Sequence, residues 1–322
     1  MDKMSKWIVK YRNMILAVAI VLLIPSAIGY FNTNINYDLL SYLPSTSESM
    51  KTQKILGDDF NLSSVDFLVV NNKTDQEAAK IKEEINKIDG VEKCIWRDDV
   101  LDISVPKQAI PESIQDMLYS GDSTMMIVTF KEPTSSMRTM NAISKIKKYT
   151  KDDCYLGGMS AISEDTKDQT EHDTPIYAGI AVVLCMIVLF LGLESTIAPV
   201  VFMLGMIFPI VYNFGTNVFL GEISYITKAL AVVLQLAVTM DYSILHRYQE
   251  EKQNLPNEEA MAKAIKATFT SITSSSITTI AGFVALCVMQ LTLGRDIGIV
   301  MAKGVVLGVL STIFILPSLL MF

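Results

Sequence analysis

The amino-acid sequence predicts an α-helical membrane bundle of about six transmembrane helices, joined to one large α+β domain outside the cytoplasm. Of the 322 residues, 50% are hydrophobic and the mean hydropathy is +0.36, which is too high for an ordinary soluble domain. The apolar residues gather into runs of about 20, the length that crosses the hydrocarbon layer of a bilayer. A long polar stretch separates the first run from the others, so we expect it to fold as a separate domain.

The first apolar run, residues 14–30, fixes the expected orientation of the chain. A basic flank before such a run can also belong to a cleaved signal peptide, but no small-residue cleavage pattern follows this one. We therefore predict that residues 1–31 form a cytoplasmic N-terminus and a retained first transmembrane helix. The basic flank places the N-terminus in the cytoplasm by the positive-inside rule, and it consists of Lys3, Lys6, Lys10 and Arg12.

Residues 32–173 carry alternating strand and helix signals and are expected outside the cytoplasm. Alternating or continuous apolar stretches predict strands over 65–70, 91–96, 125–130 and 154–156. Helical spacing predicts helices over 76–88, 111–118 and 135–149. This β-α-β-(α)-β-α-β order indicates a ferredoxin-like split βαβ sandwich.

The predicted sheet makes a checkable statement about two cysteines. Its second and fourth strands should be opposite edges, which would place Cys94 and Cys154 about 14 Å apart. A disulfide needs Cα atoms within about 7 Å, so we predict two free thiols.

Residues 174–322 contain the remaining apolar runs and are predicted to form transmembrane helices two to six. The expected spans are 175–193, 197–214, 226–245, 271–291 and a sixth that begins near Ile297 or Gly304. A charged loop at about 246–268, with a short amphipathic helix after Pro256, should lie in the cytoplasm. Its basic residues agree with the positive-inside rule, and they are His246, Arg247, Lys252, Lys263 and Lys266.

Asp241, in the predicted fourth span, is the sharpest functional signal in the sequence. A carboxylate inside an apolar span costs about 2.5–3.5 kcal/mol on insertion scales, and such residues usually face a bundle interior and mark ion or proton paths. The alternative is that Asp241 is simply solvated, because it lies only about 6 Å along the helix from Leu245, near the cytoplasmic end.

Three other polar residues lie near Asp241 on the predicted fourth span. Gln235, Thr239 and Tyr242 share one helical stripe with His246, and Asp241 lies beside it. The Tyr242 hydroxyl could donate a hydrogen bond to a nearby carboxylate. These residues are candidates for a proton path or for its support.

The predicted fifth span carries hydroxyl groups on one face, at Ser271, Ser275 and Thr278. Small residues let helices approach closely, and hydroxyl groups can bridge between helices. Close helix packing and a role in a proton wire both remain open for this face.

Lys303 is a second charge at possible membrane depth. If the sixth span begins at Ile297, Lys303 lies about 9 Å inside and could snorkel outward. If the span begins at Gly304, Lys303 is a flanking anchor. A direct pair with Asp241 is not expected, because the crossing directions place the two residues near opposite membrane faces.

Several classes of protein are disfavoured by absent motifs. The sequence has no GxxxxGK[ST] phosphate loop, GxSxG elbow or HExxH motif, so we expect neither an enzyme nor direct use of ATP. It also lacks a CxxC motif or a Cys/His cluster, so no metal or cofactor is expected. The net charge of −7 argues against nucleic acid as a partner.

Specific segments resemble a known transporter family. One span, a large outside domain and five clustered spans resemble one half of a resistance–nodulation–division (RND) transporter. The fourth-span sequence QLAVTMDYS (235–243), followed by HRYQEE (246–251), is similar to the MMPL-type branch of that superfamily. Further similar segments are DLLSYLP (38–44), SITSSS (271–276) and VMAKG (300–304).

The resemblance implies proton-driven export of lipids, lipid-linked molecules or amphiphilic drugs from a multi-pass position in the plasma membrane. Asp241 and Tyr242 match the family's proton-relay pair, and the outside domain would be a porter-type domain. Family members carry two such halves, so the expected partners are membrane lipids, an amphiphilic substrate and a second transporter half. That second half would lie in the same full-length chain or in a homodimer.

A rival interpretation keeps the same bundle but changes the activity. Sterol-sensing bundles and protein-export accessory proteins resemble this layout as well. The chain could then be a non-transporting membrane sensor, which needs no proton flux, or a protein-export accessory module, which would engage unfolded chains outside the cytoplasm.

Overall fold

The computed structural model describes residues 2–60, 64–103, 105, 109–150, 153–193, 195, 197–239 and 242–322. Its contacts divide the chain into two compact units. The bundle unit comprises Met1–Asn36 and Thr170–Phe322, and the sheet unit comprises Tyr37–Gln169.

The regular elements follow in chain order. The α-helices are α1 (Asp2–Lys10), α2 (Arg12–Asn32), α3 (Glu48–Phe60), α4 (Asp75–Asn86), α5 (Glu112–Leu118), α6 (Met137–Thr150), α7 (Met159–Gly192), α8 (Ala198–Gly215), α9 (Tyr225–Thr239), α10 (Ser243–Lys252), α11 (Asn257–Leu286), α12 (Thr292–Leu310) and α13 (Leu316–Leu320). The strands are β1 (Asn34–Asn36), β2 (Ser64–Asn71), β3 (Val91–Ile95), β4 (Tyr119–Ser120), β5 (Ser123–Phe130), β6 (Cys154–Gly158) and β7 (Glu222–Ser224).

The sheet unit is built on antiparallel strands in the order β3-β5-β2-β6, with the short β4 also paired to β5. Side chains alternate across β2, so Leu68 and Val70 are buried while Phe67 is exposed. The buried face packs with Ile85 of α4 and Ile143 of α6 in one hydrophobic core. The four principal strands and these two helices lie where the hydrophobic pattern predicts them.

The two cysteines of the sheet unit lie on opposite edge strands, as predicted. Cys94 is in β3 and Cys154 is in β6, with β5 and β2 between them. Both thiols are buried and free, which confirms the prediction.

Asp66 is a fully buried carboxylate in the sheet unit. Its oxygens accept hydrogen bonds from the backbone N–H groups of Ser160 at 3.1 Å and Ala161 at 3.0 Å. These N–H groups are in the first turn of α7, where helical N–H groups lack intrahelical partners. Gly158 permits this approach: it has φ of +147°, and a Cβ there would overlap the Asp66 carboxylate.

Six helical stretches in the described chain are long and apolar enough to cross a membrane. They are Arg12–Asn32, Met159–Gly192, Ala198–Leu220, Tyr225–Lys252, Asn257–Leu286 and Thr292–Leu320. Within the third stretch, α8 (Ala198–Gly215) agrees closely with the predicted span 197–214. Because Pro175 is accommodated inside α7, the second helix begins well before residue 175.

The fifth and sixth spans differ from their predicted limits. The expected amphipathic helix after Pro256 is not separate, because nothing breaks the helical sequence between it and the fifth span, and both form α11. The sixth span begins at Thr292, ahead of Ile297 and Gly304, and includes a π-helical turn over Ser311–Ile315.

In the bundle unit, α2 and α8 cross at two glycines. A Cβ on Gly215 would overlap the Ser26 carbonyl oxygen, and one on Gly29 would overlap the Gly215 carbonyl oxygen. The Tyr212 hydroxyl also donates to the Ala19 carbonyl at 2.6 Å. Small residues thus let the two backbones approach, as at other membrane helix interfaces.

The buried Asp66 predicts an unusual pH dependence for the sheet unit. Burial raises the pKa of Asp66 from 3.8 to about 6, so the folded unit retains a proton that the unfolded chain has lost. The free energy of unfolding should therefore fall as pH rises from about 4 to about 6. Asp66→Asn should remove the part of this pH dependence that comes from Asp66.

The measurement uses the fluorescence of Trp96, which is buried in the sheet unit, in a Trp7→Phe background. Denaturant unfolding would be followed across this pH range for the parent protein and for the Asp66→Asn variant. Parallel pH profiles for the two proteins would contradict the assignment.

Candidate functional site

Asp241, the central residue of the predicted relay, lies outside the described residues. The described chain stops at Thr239, the last residue of α9, and resumes at Tyr242, just before α10. The Tyr242 side chain is partly exposed, at 41% of its full accessibility.

A buried chain of hydrogen bonds joins α8, α9 and α12. The Nδ2 group of Asn213 on α8 donates to Oε1 of Gln235 on α9 at 2.9 Å. The Nε2 group of Gln235 donates to the Gly304 carbonyl on α12 at 3.3 Å. Asn213 and Gln235 are both fully buried, so each bond replaces one that water would otherwise make.

The absence of a side chain at Gly304 makes room for this amide chain. A Cβ there would come within 2.6 Å of Asn213 Nδ2 and 3.2 Å of Gln235 Oε1. The pairing leaves Asn213 Oδ1 without a hydrogen-bond partner among the described residues. An unpaired acceptor therefore faces the interior of the bundle.

Thr239 continues the polar stripe one turn beyond Gln235. Its hydroxyl donates to the Gln235 carbonyl at 2.6 Å, within α9. A Cβ on Gly308 would overlap Thr239 Cγ2, so the absence of a side chain at this second glycine of α12 makes room for Thr239. Gln235 and Thr239 are therefore buried against α12, at the end of α9 that precedes Asp241.

Lys303 lies inside α12 and bonds to the end of α8. Its Nζ donates to the Asn213 carbonyl at 3.0 Å and to Oδ1 of Asn217 at 2.6 Å. Because α12 begins at Thr292, Lys303 is well within the helix and is half-buried. Its ammonium group thus adjoins the amide chain through Asn213.

Asp296 is a further polar anchor that we did not predict from the sequence. Its Oδ2 accepts from the Ser224 N–H at 2.7 Å and from the Thr227 hydroxyl at 2.5 Å. It thereby ties the start of α12 to the start of α9. The sequence signal that could have indicated this bond was an acidic residue near the start of an apolar helix. Asn213 and Asn217, near the end of the apolar α8, were similar signals for the other polar contacts.

The predicted hydroxyl face of the fifth span lies elsewhere. The side chains of Ser271, Ser275 and Thr278 on α11 are exposed in the structure. The Thr278 hydroxyl donates to the Ser275 carbonyl of its own helix at 2.7 Å. This face is therefore not part of the buried chain that contains Gln235 and Thr239.

The arrangement can couple three helices chemically. Buried amide groups and an ammonium group connect α8, α9 and α12, so a change of charge or position on one helix alters hydrogen bonds on the other two. Intramembrane polar groups of this kind line ion and proton paths in membrane proteins.

We predict that Gly304→Ala lowers the stability of the bundle by about 1–3 kcal/mol, because the added methyl displaces paired amides rather than a flexible side chain. Gly282→Ala is the matched control, since a Cβ at that position would meet no atom of the described chain within 4 Å apart from the nearby backbone of its own helix. Thermal unfolding of the detergent-purified protein provides the measurement. Equal midpoints for the two variants would show that the amide chain tolerates the methyl group.

Comparisons with known proteins agree with this architecture. The sequence profile of the MMPL family matches residues 41–322. The probable transport protein MmpL9 of Mycobacterium tuberculosis is 24% identical over 219 residues, which cover 62% of this chain and 23% of MmpL9. The putative membrane protein MJ1562 of Methanocaldococcus jannaschii is 20% identical over 350 residues, covering 95% of this chain and 89% of MJ1562.

A solved structure shares the fold. SecDF from Thermus thermophilus, a translocon-associated membrane protein, superposes with a TM-score of 0.53 and 16% identity over 97% of this chain and 38% of SecDF. The match thus spans about a quarter of MmpL9 and under half of SecDF, but most of MJ1562. Because the family profile covers most of the sequence, this chain is a membrane protein that belongs to the MMPL family.

Proposed function

We propose that the chain works as one half of a proton-motive-force-driven exporter of lipids, lipid-linked molecules or amphiphilic drugs, without enzymatic chemistry of its own. The observation that carries this proposal is the MMPL profile match over residues 41–322, which includes nearly all of the sheet unit and five of the six membrane-capable stretches. The name of the relative MmpL9, a probable transport protein, supports the same activity.

Asp241 and Tyr242 form the proton relay in this proposal. Gln235 and Thr239 support it, because they occupy the buried face of α9 immediately before Asp241. Protonation of Asp241 would remove the cost of a charge in the bundle and allow α9 to shift against α12. One charge crossing 100 mV supplies about 2.3 kcal/mol for this work.

The proposed topology has a cytoplasmic N-terminus, with residues 32–173 outside and residues 174–322 forming the other spans. Ion pairs support a common side for the N-terminus and residues 246–268, which the structure forms mostly as the end of α10 and the start of α11. Lys266 pairs with Asp2 at 2.6 Å, and Arg12 pairs with Glu258 at 2.8 Å. Both segments carry several Lys and Arg residues, which the positive-inside rule associates with cytoplasmic segments. The strand order of the sheet unit supports a ferredoxin-like, porter-type domain.

A second transporter half, from the same full-length chain or a homodimer, would complete the transporter. The apolar stretches of α7 and α11 are each only 6% buried within this chain. Ser271, Ser275 and Thr278 on the exposed face of α11 would let another helix approach closely. In this proposal they pack between halves and do not belong to the relay.

The rival functions, a sensor or a protein-export accessory, differ in their need for protons and in their ligand. The likeness to SecDF is 16% in identity and concerns the fold, so it adds no substrate. A sensor would show no proton flux. An accessory would show flux but would crosslink to nascent protein rather than to an amphiphile.

We predict that Asp241→Asn lowers proton flux at least about tenfold, because an amide cannot exchange the proton that a carboxylate carries. Tyr242→Phe should lower flux less, since the hydroxyl only tunes the carboxylate. The assay uses the purified protein in liposomes with a trapped pH dye, an imposed pH gradient and ethidium as the amphiphilic probe.

Asp116→Asn is the matched control, because Asp116 is an exposed carboxylate of the sheet unit. It should leave flux unchanged. Flux at the parent level in Asp241→Asn, with equal protein in the membrane, would refute the relay.

A further inference from the structure

Two adjoining cavities lie in the bundle unit beside α2, α8 and α9. The larger has a volume of about 380 Å³ and an almost wholly apolar wall. The smaller has a volume of about 190 Å³ and a more polar wall. Four residues line both, so the cavities are neighbours, and these residues are Tyr30, Phe31, Phe214 and Lys228.

The larger cavity suits a hydrocarbon chain. Its wall includes Ile210 and Val211 of α8 and Val232 of α9. Phe31 stands at its edge and is 83% exposed, on a helix that is itself apolar enough to span the membrane. An apolar ligand could therefore enter sideways from the hydrocarbon layer. A volume near the lower end of the range for small-molecule pockets favours one chain over two.

Lys228 is the charged residue that the two linings share. It makes no hydrogen bond or ion pair with any residue of the described chain. An ammonium group between an apolar cavity and a polar one is costly without a counter-charge. An anionic group in the smaller cavity would supply that charge.

Asn217 offers a second donor to the smaller cavity. It is fully buried and lines the cavity wall, and its Oδ1 accepts from Lys303 Nζ at 2.6 Å. Because an ammonium group can only donate, this bond fixes the orientation of the amide. Its Nδ2 group is left without a partner among the described residues. A buried, unpaired donor of this kind points to a missing acceptor.

We propose that the paired cavities bind a single-chain amphiphile with an anionic head group. The chain occupies the larger cavity, and the head-group oxygens accept from Lys228 Nζ and Asn217 Nδ2 in the smaller one. This inference rests on the proposed export function, for which it specifies the charge of the transported class.

The site is connected to the buried amide chain. Asn217 and the Asn213 carbonyl share the Lys303 ammonium group, and Asn213 bonds to Gln235. A head group that binds Asn217 therefore acts one hydrogen bond away from Lys303. Ligand occupancy and the position of α9 can be coupled by this route without contact between ligand and Asp241.

The test measures binding of cis-parinaric acid, a fluorescent single-chain carboxylate, to the protein in nanodiscs of phosphatidylcholine, without a proton gradient. The corresponding alcohol has the same chain without the charge. At a pH where the acid is ionised, we expect the acid to bind at least about tenfold more tightly than the alcohol. Nanodiscs without protein measure how much of each probe enters the lipid alone, and this signal is subtracted.

Matched variants separate the two cavities. Lys228→Gln and Asn217→Asp should each remove the preference for the acid, and Asn217→Asp retains an acceptor for Lys303. Val211→Trp should weaken acid and alcohol alike by filling the larger cavity. Val306→Trp is the control, because Val306 is exposed on α12 and lines neither cavity.

The outcomes keep this inference distinct from the proposed export function. Equal affinity for acid and alcohol in the parent, or equal effects of Val211→Trp and Val306→Trp, would overturn the site while leaving Asp241-dependent proton flux untouched. Normal binding with no proton flux in the parent would instead refute export and retain the site.

Discussion

The hydrogen bonds among Asn213, Gln235 and Gly304 are the constraint around which the bundle is arranged. A bilayer offers no water to buried amides, so these groups must pair within the protein. Their donors and acceptors belong to α8, α9 and α12, which fixes the relative rotation of three helices. The glycine is needed because any side chain at 304 would occupy the space of the amides.

Glycines govern packing elsewhere in the bundle unit as well. Gly29 and Gly215 let α2 and α8 cross with their backbones in contact, while larger residues lie on either side. The cavities beside this crossing are lined by those larger residues, including Tyr30 and Phe214. Close approach at one point and open space beside it therefore have the same origin, a change of side-chain size along α2 and α8.

Asn217 and Lys303 relate the proposed ligand site to the proposed proton path. Asn217 lines the smaller cavity and accepts a hydrogen bond from Lys303, which also donates to the Asn213 carbonyl. A coupled exporter needs its substrate to sense the state of the relay. Here the connection would consist of short hydrogen bonds between neighbouring helices, so it requires no rearrangement of the fold.

The sequence by itself determined the membrane-helix content, the strands and principal helices of the sheet unit and the free Cys94 and Cys154, because hydrophobic periodicity is a local property. It also singled out Gln235, Thr239 and Lys303 as polar residues in apolar surroundings. Their partners Asn213, Asn217 and Gly304 could not be read from it, because each lies far along the chain from the residue that it bonds. The bonds of Asp296 to Ser224 and Thr227 could not be read from it either. Only tertiary structure decided these pairings, because hydrogen bonds between helices depend on rotation and crossing, which no local pattern encodes.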